Sequence, residues 1–314
     1  MYRIVAGQFG NFEKITLESS DGQNSLSLIP AFGATIIDLQ LKGHSVLDTY
    51  QTSDEMLAYK WMKSGVLLPF PNRLKSGRYI WNNDAYSFFI NDSITGNALH
   101  GFGLDKAYEV IKTQTDSQQG SITCRYEYNG ELAAYPFPFT FEIQYQLKSS
   151  GKFSIRMAFY NDGFEAIPVG LGWHPYFKIG DDIGKLKMKM SPSEMIGIDQ
   201  QMIPTGKRYE YDEFNLGKQI GATILDNCFT FDQKNNNKFA EVLLESETMR
   251  LRFWQRLGVN QFNYVQVFTH PDRHAIALEP MTCNVDAFNN GEGLTVLLPN
   301  EKVEVSCGVE VSVV

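Results

Sequence analysis

Clustered positive charge is missing from this chain of 314 residues. Its 28 Lys and Arg are outnumbered by 36 Asp and Glu, for a net charge of −8. The nearest thing to a basic run, LKMKM at Leu186–Met190, alternates lysine with apolar residues and reads as a strand with one solvated face. A polyanion footprint is absent, which excludes nucleic acid as a partner. Long apolar runs are missing too: none reaches the ~18 residues of a membrane helix, so no membrane is expected. The opening MYRIVAGQFGNFEKI has no apolar signal core, and a soluble cytoplasmic protein is the expectation. Cysteine is sparse. Cys124, Cys228, Cys283 and Cys307 form no C-x-x-C pair and no Cys/His cluster, so they read as reduced thiols and no metal is expected. G-x-S-x-G and the P-loop are absent, and GFGLDKAYE stops at G-x-G, so no dinucleotide cofactor is expected. Helical periodicity is confined to Ser53–Tyr59, with Ser53 or Asp54 as the cap.

What is abundant is aromatic residues, 13% of the chain with 22 Phe and 15 Tyr, and a hydrophobic period of two. Phe141, Ile143, Tyr145 and Leu147 alternate with polar residues, as do Phe153, Ile155, Met157 and Phe159, then Met249, Leu251 and Phe253. The C-terminal run through Val303, Val305, Val309, Val311 and Val313 repeats the pattern, with a break expected near Gly308. Such alternation marks antiparallel strands with one buried face. Turn sequences (SDGQN, NNDAY, KSSGK, YNDGF, NNGEG) separate the runs, and no linker interrupts them. The expected fold class is all-β: one large antiparallel β-sandwich with few short helices, a single domain over residues 1–314.

The five histidines divide into two groups. His44 sits in a hairpin turn, and His270 and His274 in a Pro/Asp turn; all three read as surface residues. His100, in GNALHGFG, is flanked by glycines that permit close backbone approach. His174, in GLGWHPYFKIG, is held extended by Pro175 and framed by aromatics. Glu279 ends the apolar run AIAL, where a carboxylate is either an ion pair or a base. Arg73, braced by two prolines in PFPNRL, offers a rigid fork of donors for hydroxyls or carboxylates. Taken singly, each is as readily a structural residue as a functional one.

Their order adds information. FPNRLKSGRY, NALHGFG, GLGWHPYF and ALEPMTCNVDAFNNGEGLTVLLPNE follow one another, and this succession resembles the aldose 1-epimerase (galactose mutarotase) family from about Pro69 onward. The resemblance implies a galactose mutarotase-like supersandwich with a sugar cleft, and exchange of α and β anomers of a free aldose without a cofactor. It implies His174 as general acid, Glu279 as general base and His100 as a catalytic partner. Arg73, Asn72, Asp226, Trp173 and Tyr176 are implied as substrate-binding, with Trp61 and Trp254 as further stacking candidates. Two departures leave the sugar open: Phe102 stands where many galactose-specific members have glycine, and PMTCNVDAF differs from their T-Q-x-x-P-D-A. A hexose-phosphate mutarotase and a non-catalytic carbohydrate-binding protein are the alternatives, and the oligomeric state is open.

Overall fold

The computed structural model describes residues 1–191, 193–231 and 238–313. Two antiparallel sheets carry most of the chain. The nine-stranded sheet runs, edge to edge, through Glu109–Thr115, Gln119–Tyr128, Phe139–Lys148, Lys152–Asn161, Lys302–Val313, Met249–Arg256, Phe239–Glu245, Lys187–Met190 and Lys218–Gln219. The eight-stranded sheet runs through Pro204–Tyr211, Ser193–Ile198, Asp226–Phe231, Tyr264–Thr269, Ile276–Met281, Gly172–His174 and Gly65–Leu67, and Tyr176–Phe177 also pairs with Ile276–Met281. An N-terminal five-stranded meander covers Tyr2–Ser45. The Tyr145 hydroxyl ties it to the larger sheet by donating to the Ala34 carbonyl at 2.7 Å.

Period two sets the layers. Phe141, Ile143, Tyr145 and Leu147 are fully buried, while their polar neighbours are partly exposed. Their rings interlock with those of the next strand: Phe139 stacks on Phe159 with centroids 4.4 Å apart. Each such side chain stabilises the fold by ~1.5–3 kcal/mol through burial. The main apolar cluster draws on residues from Tyr2 to Val311. At Leu186–Met190 the lysines face solvent and the methionines are buried.

Two local expectations change. The break near Gly308 does not occur: Lys302–Val313 is one strand. Gly308 lies opposite Trp254, and a Cβ there would sit 2.7 Å from the indole, so the glycine makes room for a ring laid across the strand. The short helix is Ser53–Leu57, and its cap is Thr52, one residue earlier than expected. Thr52 Oγ1 accepts from the Glu55 amide at 3.2 Å, while Glu55 Oε2 accepts from the Gln51 amide at 3.0 Å.

Candidate active site

The buried strand Ile276–Met281 is the spine of the site. Ile276 and Leu278 enter the core between the sheets, so alternation sends Ala277, Glu279 and Met281 to the opposite face. Gln266 lies across from Glu279 on one neighbouring strand. On the other side, the register that sets Gly172 opposite Met281 brings His174 across from Glu279. His174 Nε2 is 3.4 Å from Glu279 Oε1, and both side chains are less than a tenth exposed.

The same alternation corrects one expectation. Trp173 and Phe177 point into the core, and His174 and Tyr176 point out to the site. Trp173 is wholly buried, packed against Phe153 and Phe177, so it does not reach a substrate. Trp254 is also remote, on the other sheet, where it packs on Phe239. Phe102 packs among Tyr128, Tyr135 and Phe139 and does not line the cleft.

His100 arrives from a loop. Its amide donates to the Asn72 carbonyl at 2.9 Å, and the Asn72 amide donates to His100 Nδ1 at 3.1 Å. The reciprocal pair holds both residues at left-handed φ, 65° for His100 and 59° for Asn72, a conformation that persists in non-glycine residues only when the surroundings enforce it. Gly101 follows at φ 66°, and a Cβ there would lie 2.1 Å from the Leu68 carbonyl oxygen. Because Nδ1 accepts, the neutral His100 ring carries its proton on Nε2 and is a donor. Its centroid is 5.2 Å from that of His174. Arg73 is aimed by Asp92, which takes its Nε at 2.9 Å, and by Asn72 Oδ1, which takes Nη1 at 3.3 Å.

A cleft of about 210 Å³ is lined by Asn72, Arg73, His100, His174, Tyr176, Asp226 and Glu279. Every expected site residue except Trp173 therefore meets here, and the stacking candidate Trp61 lines the wall as well. Gln266 and Phe268 also line it, beyond the expected set. Gln266 Nε2 donates to Asp226 Oδ1 at 2.7 Å. Their signal is present in alternation alone, since Gln266 and Phe268 share a face in YVQVFT. Nothing local in the sequence marks Asp92 as the partner of Arg73.

Charge is finely placed. Burial pushes the Glu279 carboxyl well above the ordinary carboxylate range, and the nearby Asp226 adds to this against the opposing pull of Arg73. Burial holds His174 down to about 4. His100 is held well below its ordinary value by burial, then by His174 and Arg73. Asp226 is raised, chiefly by burial. Burial thus disfavours the charged form of both histidines and of Glu279. An imidazolium at His174 would be desolvated, which is the cause of its downward shift.

His100, His174 and Glu279 offer three donor atoms within 4.8 Å of one another. This set does not suit a metal ion: with Nδ1 of His100 accepting from a backbone amide, its Nε2 bears a proton and has no lone pair to give. Of the remaining histidines, His44 is exposed as expected. His270 is not a surface residue. It is buried against Trp61, with centroids 4.5 Å apart. His274 is half-buried and bonded to Asp48 at 2.9 Å.

Residues 13–310 match the family model for aldose 1-epimerase. The chain is 26% identical over 276 residues to the uncharacterized protein YihR of Escherichia coli strain K12, covering 86% of this chain and 84% of YihR. A galactose mutarotase-like protein from Clostridium acetobutylicum superposes with a TM-score of 0.87 at 21% identity, covering 100% of this chain and 99% of that one. Galactose 1-epimerase from Lactobacillus acidophilus NCFM does so with a TM-score of 0.83 at 16% identity, again covering 100% and 99%. With the match to the family model spanning nearly its whole length, the chain belongs to the aldose 1-epimerase family.

Proposed function

We propose that the protein is a mutarotase acting on a free, unphosphorylated aldose, with His174 and Glu279 as the acid/base pair. The observation that carries this is the contact between two buried titratable groups, 3.4 Å apart, on the floor of a cleft. Mutarotation needs a base at the O1 hydroxyl and an acid at the ring oxygen O5, on adjacent sides of C1. Glu279 takes the O1 proton, His174 gives one to O5, the C1–C2 bond turns, and the steps reverse. The cycle uses one proton shared by two groups. Burial favours the neutral carboxyl of Glu279, and hydrogen bonds from sugar hydroxyls favour its carboxylate and so the transfer of the proton to His174. Each positioned group contributes ~10²–10⁴-fold. His100 Nε2–H and Arg73 donate to sugar oxygens, Asn72, Asp226 and Gln266 fix hydroxyls, and Trp61 and Tyr176 cover the apolar faces of the ring.

An uncharged substrate is supported by the lining. Arg73 is its one Arg or Lys among the described residues, and its Nε is committed to Asp92. The floor offers the carboxyls of Asp226 and Glu279 and, among the described residues, no second cation to a phosphate dianion, which argues against the sugar-phosphate reading. A core cluster that draws on both ends of the chain supports one domain over residues 1–314. Four buried free cysteines and the absence, among the described residues, of a helix long and apolar enough to cross a membrane are consistent with work in the cytoplasm. The test is anomer exchange followed by polarimetry or NMR from pure α-glucose, α-galactose, α-xylose and α-glucose 6-phosphate. Acceleration of one or more free sugars is expected, and acceleration of the phosphate alone or of none overturns the reading.

A further inference from the structure

A second cluster of metal-type donors lies behind the Trp61 wall of the cleft. The turn His270-Pro271-Asp272-Arg273-His274 joins the strands Tyr264–Thr269 and Ile276–Met281. It is closed by backbone bonds from His270 N to Ala275 O at 3.1 Å and from Arg273 N to His270 O at 2.8 Å. Arg273 turns its guanidinium away, to the Thr223 and Gly221 carbonyls. Three potential ligand atoms, from His270, Asp272 and His274, lie within 4.8 Å of one another.

Two features of this turn are unexplained by folding alone. His270 is 3% exposed, yet its Nε2 makes no hydrogen bond among the described residues; buried polar groups ordinarily do. Its Nδ1 is in contact with Asp272 Oδ1, and His274 Nδ1 lies 3.4 Å from that same oxygen. His274 Nε2 meets Asp48 Oδ2 at 2.9 Å, an oxygen that also takes Lys63 Nζ at 2.8 Å. Asp48 is an anion paired with Lys63, so His274 Nε2 carries the proton. His274 Nδ1 is thus turned to the same Asp272 oxygen that His270 Nδ1 faces, so two imidazoles and one carboxylate converge on one point.

We propose that His270 Nδ1, His274 Nδ1 and Asp272 Oδ1 form a site for a divalent first-row transition metal, distinct from the sugar cleft. Two imidazoles and one carboxylate suit zinc, nickel or cobalt better than calcium or magnesium. Asp48 supplies the outer carboxylate that fixes the tautomer of a ligating histidine. The Asp272 side chain is 70% exposed, which leaves an open side for water as a further ligand. Trp61, in edge contact with His270, reports occupancy.

The test uses metal-stripped, tag-free full-length protein titrated with Co²⁺ and with Zn²⁺, read by visible absorption, calorimetry and tryptophan fluorescence. One equivalent of each is expected to bind saturably, with Co²⁺ quenching fluorescence in the wild type and much less in Trp61→Phe. Asp272→Asn, at an exposed position, and His274→Gln should each weaken binding by about tenfold or more, while Glu279→Gln leaves it unchanged. Absence of saturable binding, undiminished affinity in both turn variants, or loss of binding in Glu279→Gln overturns the proposal. None of these outcomes depends on sugar turnover.

Discussion

His174 Nε2 and Glu279 Oε1 stand 3.4 Å apart across adjacent strands, both buried and each with its acidity moved to favour the neutral form. Burial disfavours imidazolium and carboxylate alike, so both groups are pushed toward their neutral forms. Their contact places the pair to pass a single proton through a bound substrate, which is what a reversible ring opening requires of it.

Stability should carry the imprint of His174. Its pKa falls from the ordinary 6.5 to about 4 on folding, so between those values the unfolded chain binds a proton that the folded one does not. Stability contributed by this group is full above about pH 6.5 and is lost as pH falls toward about 4. His174→Asn removes that dependence. Urea melts across this window should show the wild type losing more stability than the variant as pH falls; parallel curves would contradict the burial of a neutral ring.

Trp61 and Trp173 should separate binding from folding. Trp61 is 41% exposed on the cleft wall, and Trp173 is wholly buried in the core. Trp61→Ala should raise KM while changing stability by ~1 kcal/mol or less, and Trp173→Ala should cost ~3–5 kcal/mol. Steady-state kinetics beside thermal melts distinguish the two.

Gly101 should not tolerate a methyl group. Its φ is 66°, and a Cβ would fall 2.1 Å from the Leu68 carbonyl oxygen. Both oppose alanine, at a cost of ~2–3 kcal/mol. Because His100 precedes it, turnover should fall along with the melting temperature. A Gly101→Ala protein with unchanged melting and turnover would contradict the loop geometry.

Arg73→Lys should weaken substrate binding. A lysine cannot hold Asp92 and Asn72 while still presenting a donor to the cleft, as the guanidinium fork does. A roughly tenfold rise in KM with kcat little changed is expected, the pattern of a contact made equally in ground and transition states. A drop in kcat at constant KM would instead place Arg73 in the chemical step.

The layers of the fold are legible because strand alternation is local: Phe141 to Leu147 and Lys187 to Met190 need only their own sequence. Most of the expected cleft residues sit in short motifs, and Asp226 is reached through LDNCF. Trp173 marks where alternation outweighs motif, since in WHPYF the same period that faces His174 and Tyr176 to the cleft turns Trp173 and Phe177 away. His270 reads as exposed from its turn composition, which says nothing of the Trp61 ring that covers it from 209 positions earlier in the chain. The partnership of Asp92 with Arg73 depends on a pairing between separate segments, which no single stretch encodes.

The most direct measurement is the rate of anomer exchange of a free aldose by wild type, His174→Asn, Glu279→Gln and the double variant, each checked for folding by circular dichroism. Each single variant should lose ~10²–10⁴-fold, and the double variant little more than the worse single, because two groups sharing one proton act as a unit. Near-wild-type exchange by either folded single variant would contradict the assignment of His174 and Glu279 as the acid/base pair.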